Sequence, residues 1–215
     1  MVVIADKKCA IKGIVFDLYG IWVIDSYKEA LEWEAKKYRK YWKDFSRSIN
    51  SLNGNDIWWK FATGRITEKE YWKKMVEITK STRMVTELRG KVYGLMIIKK
   101  KTVEIIKKLK DNFKLGLLTN NTKEWMDFLK SKKDGKEALQ LFDVVINSAD
   151  VSVKKPDKRF YEIMVKRLQL QPEEILFIDD TERNTKVAES LGMDVIIFES
   201  VRQLRGNLAK RGIKL

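Results

Sequence analysis

Four short stretches put side chains capable of chemistry at the ends of apolar runs. GIVFDLYG (13–20) runs into the lone carboxylate Asp17 and sets Tyr19 two positions on, and LGLLTNN (115–121) ends in Thr119, Asn120 and Asn121. The loop after FDVVIN (142–147) carries Lys154, Lys155 and Pro156, and EILFI (174–178) leads into Asp179 and Asp180. Taken singly, each has a structural explanation: Asp17 as a turn residue, Thr119 to Thr122 as a helix cap, Pro156 as a first-turn proline, Asp180 as another cap. Taken together, four strand ends would deliver three carboxylates, a hydroxyl and a lysine to one crevice. Crowded carboxylates repel, so some are protonated or cations neutralise them, and one lysine is too little. A hard divalent ion with oxygen ligands, Mg²⁺ above others, completes the balance and leaves coordination positions for a phosphate. The chain has no histidine, which excludes Ser-His-Asp and Cys-His nucleophile systems and histidine-ligated zinc.

Such strand ends act together only if a sheet aligns them. Apolar runs of strand length occur at 11–16, 114–119, 142–147, 174–178 and 194–198. From the second onward they alternate with helical patterns at 99–111, 122–133, 156–169, 182–191 and 200–211, the rhythm of a doubly wound parallel α/β sheet of Rossmann-like type. In such sheets ligands bind beyond the carboxyl ends of the strands. Between the first and second strands, residues 22–95 show only helical patterning. Ser26 with Glu29 and Thr67 with Glu70 fit the capping-box spacing, each opening an amphipathic run, and NGNDIWWKF reads as a further short helix. Trp33, Trp42, Trp58, Trp59 and Trp72 read as a small helical core rather than a stacking platform. The expected organisation is therefore a catalytic core of residues 1–21 and 96–215 with an inserted all-helical domain of residues 22–95.

At 215 residues, 44% of them hydrophobic, the chain can bury a proper core. The net charge of +14 spreads over amphipathic helices such as EAKKYRKYWKD and IIKKLKDN, which suits the field around a small anionic substrate and gives no nucleic-acid stripe. MVVIADKKCAIKG has too short an apolar run for a signal peptide, and nothing approaches a membrane-spanning length, so a soluble cytoplasmic protein is expected. The single cysteine, Cys9, agrees with a reducing compartment. Oligomeric state is not legible.

GIVFDLYG, LGLLTNN, KKPDKRFYE and ILFIDDTERNTKVAESLGM resemble, in order and spacing, the four motifs of the haloacid dehalogenase-like hydrolase superfamily. The helical insertion resembles that superfamily's cap. The resemblance implies Asp17 as a nucleophile forming a covalent aspartyl intermediate, Thr119 as a hydrogen-bond donor to the transferring group, and Lys155 as the cation beside Asp17. It further implies Asp17, Asp179, Asp180 and the Tyr19 backbone carbonyl as Mg²⁺ ligands, with Asn184 nearby. Asn120 and, from the cap loop ATGRIT, Arg65 are the expected substrate contacts. Phosphatases of the superfamily carry an acid two residues after the nucleophile and a threonine two further on, where this chain has Tyr19 and Ile21. The first motif thus resembles the metal-independent L-2-haloacid dehalogenases and the fourth the Mg²⁺-dependent phosphatases. The reading preferred here is a Mg²⁺-dependent phosphatase favouring good leaving groups, with a 2-haloacid dehalogenase or a catalytically silent interaction protein as alternatives.

Overall fold

The computed structural model describes residues 10–37 and 57–215. Cys9, Trp42 and the part of the first expected cap helix beyond Lys37 lie outside the described residues. Five strands, β1 (Gly13–Phe16), β2 (Lys114–Thr119), β3 (Val144–Asn147), β4 (Ile175–Asp179) and β5 (Asp194–Ile197), form one parallel sheet in the order β3-β2-β1-β4-β5. All five stand where the apolar runs predict them. β1 is buried throughout, as is β4, because side chains alternate between two covered faces. Ile14, Phe16, Leu117, Leu176 and Ile178 point into one core, and Val15, Leu118, Ile175 and Phe177 into the other.

Helices α1 (Ser26–Lys37), α2 (Ile57–Ala62), α3 (Glu68–Thr79) and α4 (Thr82–Gly94) follow β1 in the chain. After them α5 (Lys100–Lys110) leads into β2, and α6 (Lys123–Ser131) and α7 (Lys133–Leu139) connect β2 to β3. α8 (Ser148–Val151) and α9 (Lys158–Leu168) precede β4; α10 (Glu182–Ser190) and α11 (Val201–Lys210) flank β5. Two starts differ from expectation. Pro156 stands before the α9 cap, where the Asp157 side chain accepts from the Arg159 amide, and α7 extends the helical region beyond 133 despite Gly135. Among the described residues no helix is long and apolar enough to cross a membrane.

α1 to α4 bury their own core of Phe61, Tyr71, Met75, Met84 and Leu88, to which α6 adds Trp125. Trp58 stacks on Tyr27 with ring centroids 4.6 Å apart and lies 5.5 Å from Trp125, so the tryptophan content goes largely to packing. Trp33 is exposed and Trp59 lies outside the core clusters. The capping box at Thr67 and Glu70 forms in both directions. The one expected at Ser26 does not: Asp25 accepts from the Lys28 amide at 3.0 Å instead, and the buried Ser26 hydroxyl has no partner among the described residues. A carboxylate one position earlier reaches the third amide of the helix and shifts the cap.

Candidate active site

Chain order reverses between β1 and β4, since β2 and β3 lie on one side of β1 and β4 and β5 on the other. In open α/β sheets ligands bind at such a switch point, beyond the carboxyl ends of the strands. Phe16 pairs with Ile178 in the ladder, so Asp17 and Asp179 emerge side by side. Asp17 Oδ1 accepts from the Leu18 amide at 2.7 Å and from Lys155 Nζ at 2.8 Å. Lys155, 1% exposed, reaches Asp179 Oδ2 at 2.7 Å from the opposite side. Both Asp179 oxygens are committed: the Thr181 amide donates to Oδ1 at 2.8 Å, and Asn184 Nδ2 bridges Oδ1 at 3.0 Å and Oδ2 at 3.1 Å. Asp179 therefore holds Lys155, and Asn184 holds Asp179.

The remaining expected residues take definite places. Asn120 clasps the backbone of Lys155, donating to its carbonyl at 3.0 Å and accepting from its amide at 2.8 Å, so its side chain fixes the lysine loop. Thr119 ends β2 fully buried, and its hydroxyl has no partner among the described residues. Thr122 caps α6 by accepting from the Trp125 amide. The α10 cap position falls to Thr181, so Asp180 is not the cap residue; its Oδ1 accepts from the Thr181 hydroxyl at 3.1 Å. Arg65 is exposed and lies 3.9 Å from the centroid of Trp59. The neighbouring Gly64 lies so close to Ala149, just past β3, that a β-carbon there would crowd its carbonyl. Gly20, at φ +77°, is similarly confined: a β-carbon would overlap the Asp180 carboxylate.

Burial pushes the Asp17 carboxyl up to about 7 against the pull of Lys155, and the charge on Asp179 adds to the rise. Burial also opposes the Lys155 ammonium, but Asp17 and Asp179 outweigh it and hold its pKa above the ordinary lysine value. Tyr19 is raised well above a normal phenol by burial and by the charge on Asp25; its hydroxyl donates to Asn121 Oδ1 at 3.3 Å. Sequence reasoning overlooked Asp25, whose carboxyl is raised by burial and by Asp180. It also overlooked the Thr181 amide, because nothing in residue type marks a backbone donor as part of a site.

The donor set fits a hard divalent cation. Carboxylate oxygens of Asp17, Asp179 and Asp180 lie within 4.8 Å of one another, those of Asp179 already hydrogen-bonded, while one ammonium is shared between two of the three. Thr119 adds an unused hydroxyl at the same strand ends.

Comparison with known proteins supplies the lineage. Residues 11–192 match the family model described as a haloacid dehalogenase-like hydrolase. Mouse acyl-CoA dehydrogenase family member 10 is 29% identical over 199 residues, 86% of this chain and 18% of that protein. The chain spans 18 to 34% of the length of three such curated relatives. The (S)-2-haloacid dehalogenase of Pseudomonas putida is 26% identical over 203 residues, 86% of this chain and 83% of that enzyme. A haloacid dehalogenase family enzyme from Bacteroides thetaiotaomicron, crystallised in complex with magnesium and inorganic phosphate, superposes with a TM-score of 0.70 at 20% identity. The superposition covers 88% of this chain and 95% of that one.

Proposed function

The chain belongs to the haloacid dehalogenase-like hydrolases, and on that premise we propose a Mg²⁺-dependent phosphatase that works through a phosphoryl group carried on Asp17. The observation that carries the reading is the second acid at the end of β4. With Asp17 and Asp179 already sharing Lys155, the exposed carboxylate of Asp180 beside them sets three acids against one ammonium, a charge that a divalent cation would balance. The small polar substrate is an anionic phosphate ester or anhydride.

Lys155 and the Leu18 amide both engage Asp17 Oδ1, which leaves Oδ2 to attack phosphorus. The bond from phosphorus to the leaving oxygen breaks as the aspartyl phosphate forms. Water then attacks that phosphorus, releasing phosphate and regenerating the carboxylate. Asp180, Asp17 and the Tyr19 carbonyl would hold Mg²⁺, which supplies charge neutralisation and polarisation of the phosphoryl group. Lys155, fixed by Asp179 and by the Asn120 clasp, stabilises negative charge on the transferring oxygens, and the free Thr119 hydroxyl donates to one of them. Helices α1 to α4 serve as the cap that excludes water, with Arg65 on the loop before α3 available to a substrate anion.

Tyr19 limits the leaving group. A phenol raised by burial is a weaker acid than a free one, so it protonates a departing alkoxide poorly. Acyl and aryl phosphates, whose leaving groups are weak bases, should turn over, and alkyl phosphates should be slow. The expected result with purified protein is Mg²⁺-dependent turnover of acetyl phosphate and an aryl phosphate, abolished by chelator and by Asp17→Asn. Tyr19→Phe should keep aryl phosphatase activity within a few-fold, and Tyr19→Asp should speed alkyl phosphates. A dehalogenase is the second reading, favoured by Tyr19 and by likeness to the Pseudomonas enzyme across most of both chains. Chloride release from 2-chloropropionate in chelator, lost in Asp17→Asn, would decide for it.

A further inference from the structure

Tyr19 stands two residues after Asp17, in the place that an acid takes in the superfamily's phosphatases, so the direction of its single hydroxyl proton matters. Asn121 settles that direction. Its Oδ1 lies 2.8 Å from the Thr122 amide nitrogen and 3.3 Å from the Tyr19 hydroxyl. A backbone amide can only donate, so the Asn121 atom facing it is the oxygen and not Nδ2. A carboxamide oxygen can only accept, so Tyr19 is the donor of its own bond to that atom. Turning the carboxamide over would set Nδ2 against the Thr122 N–H, donor against donor. Among the described residues Asn121 is the one hydrogen-bond partner of the Tyr19 hydroxyl.

The acceptor is itself held in place. Asn121 is fully buried, its own amide donates to the Ser148 hydroxyl at 3.1 Å, and that hydroxyl donates to the Ala62 carbonyl at the end of α2. Thr122, which donates to Oδ1, is the cap residue of α6. Tyr19 lies close enough to Asp17 and Asp25 for both charges to act on it.

We infer that Asn121 is a positioning residue that keeps the Tyr19 proton from the leaving group, and so restricts the site to acyl phosphates, aryl phosphates and phosphoanhydrides, whose leaving oxygens need no proton. The inference rests on the phosphatase reading and adds a second cause to its leaving-group limit. Burial weakens Tyr19 as an acid, whereas Asn121 engages the proton itself. With that proton given to Asn121, the phenol has only lone pairs left for anything else in the site. To protonate a departing alkoxide, Tyr19 must first break its bond to Asn121 Oδ1, a bond whose loss shifts such a choice by roughly three- to tenfold.

The test compares kcat/KM for glycerol 1-phosphate, an alkyl ester, with that for 4-nitrophenyl phosphate, both with Mg²⁺. Asn121→Leu, which keeps the side-chain volume and removes the acceptor, should raise the alkyl-to-aryl ratio roughly three- to tenfold. In a Tyr19→Phe background the same substitution should leave the ratio unchanged, because no proton is there to release. Equal change in both backgrounds marks a structural effect on the start of α6 and overturns the inference, as does no change in either. Should Asn121→Leu fail to fold, Tyr19→Phe alone decides. Its ratio should stay within about twofold of wild type, and a fall of roughly tenfold would show that Tyr19 delivers its proton in the wild type, which overturns the inference. Failure of the wild type to turn over either ester or acetyl phosphate overturns the phosphatase reading itself, an outcome visible before any variant is made.

Discussion

Lys155 balances the buried Asp179 and the part-buried Asp17, and that imbalance makes Asp17 a burden on stability. Asp179 is completely satisfied by Lys155, Asn184 and Thr181, whereas Asp17 adds a second negative charge to an ammonium already engaged. Replacing Asp17 by Asn leaves a one-to-one buried pair, so urea unfolding at neutral pH should show Asp17→Asn more stable by about 1 kcal/mol although inactive. Lys155→Met should do the reverse and cost about 3 kcal/mol or more, because it strands both carboxylates. A lower stability for Asp17→Asn would mean that the Leu18 amide and Lys155 outweigh the repulsion. At this scale the residue types at the strand ends were readable from the chain, but their division of labour was not. Asn120 is a polar residue after a strand in the sequence; only the fold turns it toward the Lys155 backbone, 35 positions away.

At the scale of elements, the helical starts are set by whichever side chain reaches the first free amides. Asp25 caps α1, so Asp25→Ala should lower stability by about 1 kcal/mol, while Ser26→Ala, which removes an unpartnered buried hydroxyl, should be neutral. Thermal melts of the two variants separate these outcomes. α3 and α4 are locked by Glu68, which accepts from Trp72 Nε1 and the Tyr93 hydroxyl, each at 2.8 Å, and from Arg89 at 3.1 Å. Burial opposes the charged carboxylate, yet these donors outweigh it and hold Glu68 below the usual glutamate value. A depressed folded pKa gives stability that is complete above the unfolded value of about 4.3 and is lost as pH falls through the folded value. Wild type should therefore lose more stability than Glu68→Gln between about pH 5 and pH 3. Parallel pH profiles for the two proteins would discard Glu68 as a contributor. Strands β1 to β5 were visible because apolar runs bounded by turn residues signal burial on both faces. α7 was not, since its seven residues are mostly charged and include a glycine, Gly135, that is buried against Leu129 of α6.

Across the whole molecule, a net charge of +14 surrounds a crevice whose own carboxylates are negative. Such an outer field would draw a small anion toward a mouth where the local charge would otherwise repel it. The ratio kcat/KM for acetyl phosphate should accordingly fall as ionic strength rises from about 0.01 to 0.3 M, with kcat nearly constant, because salt screens approach and not the buried centre. A fall in kcat by the same factor would place the salt effect inside the site. The sheet order and the switch point that makes the crevice are long-range facts; the alternation of strands and helices suggested a doubly wound sheet without stating which two strands part.

Trp125 carries a consequence for how such a protein can be recombined. It grows from α6, after β2, yet it is buried among Tyr27, Trp58 and Phe61 of the helical segment. Chain continuity suggests a module that begins and ends between β1 and α5, but the aromatic cluster crosses that seam. Exchanging residues 22–95 for another lineage's segment would leave an indole facing a foreign surface, so a working chimera must trade position 125 along with it.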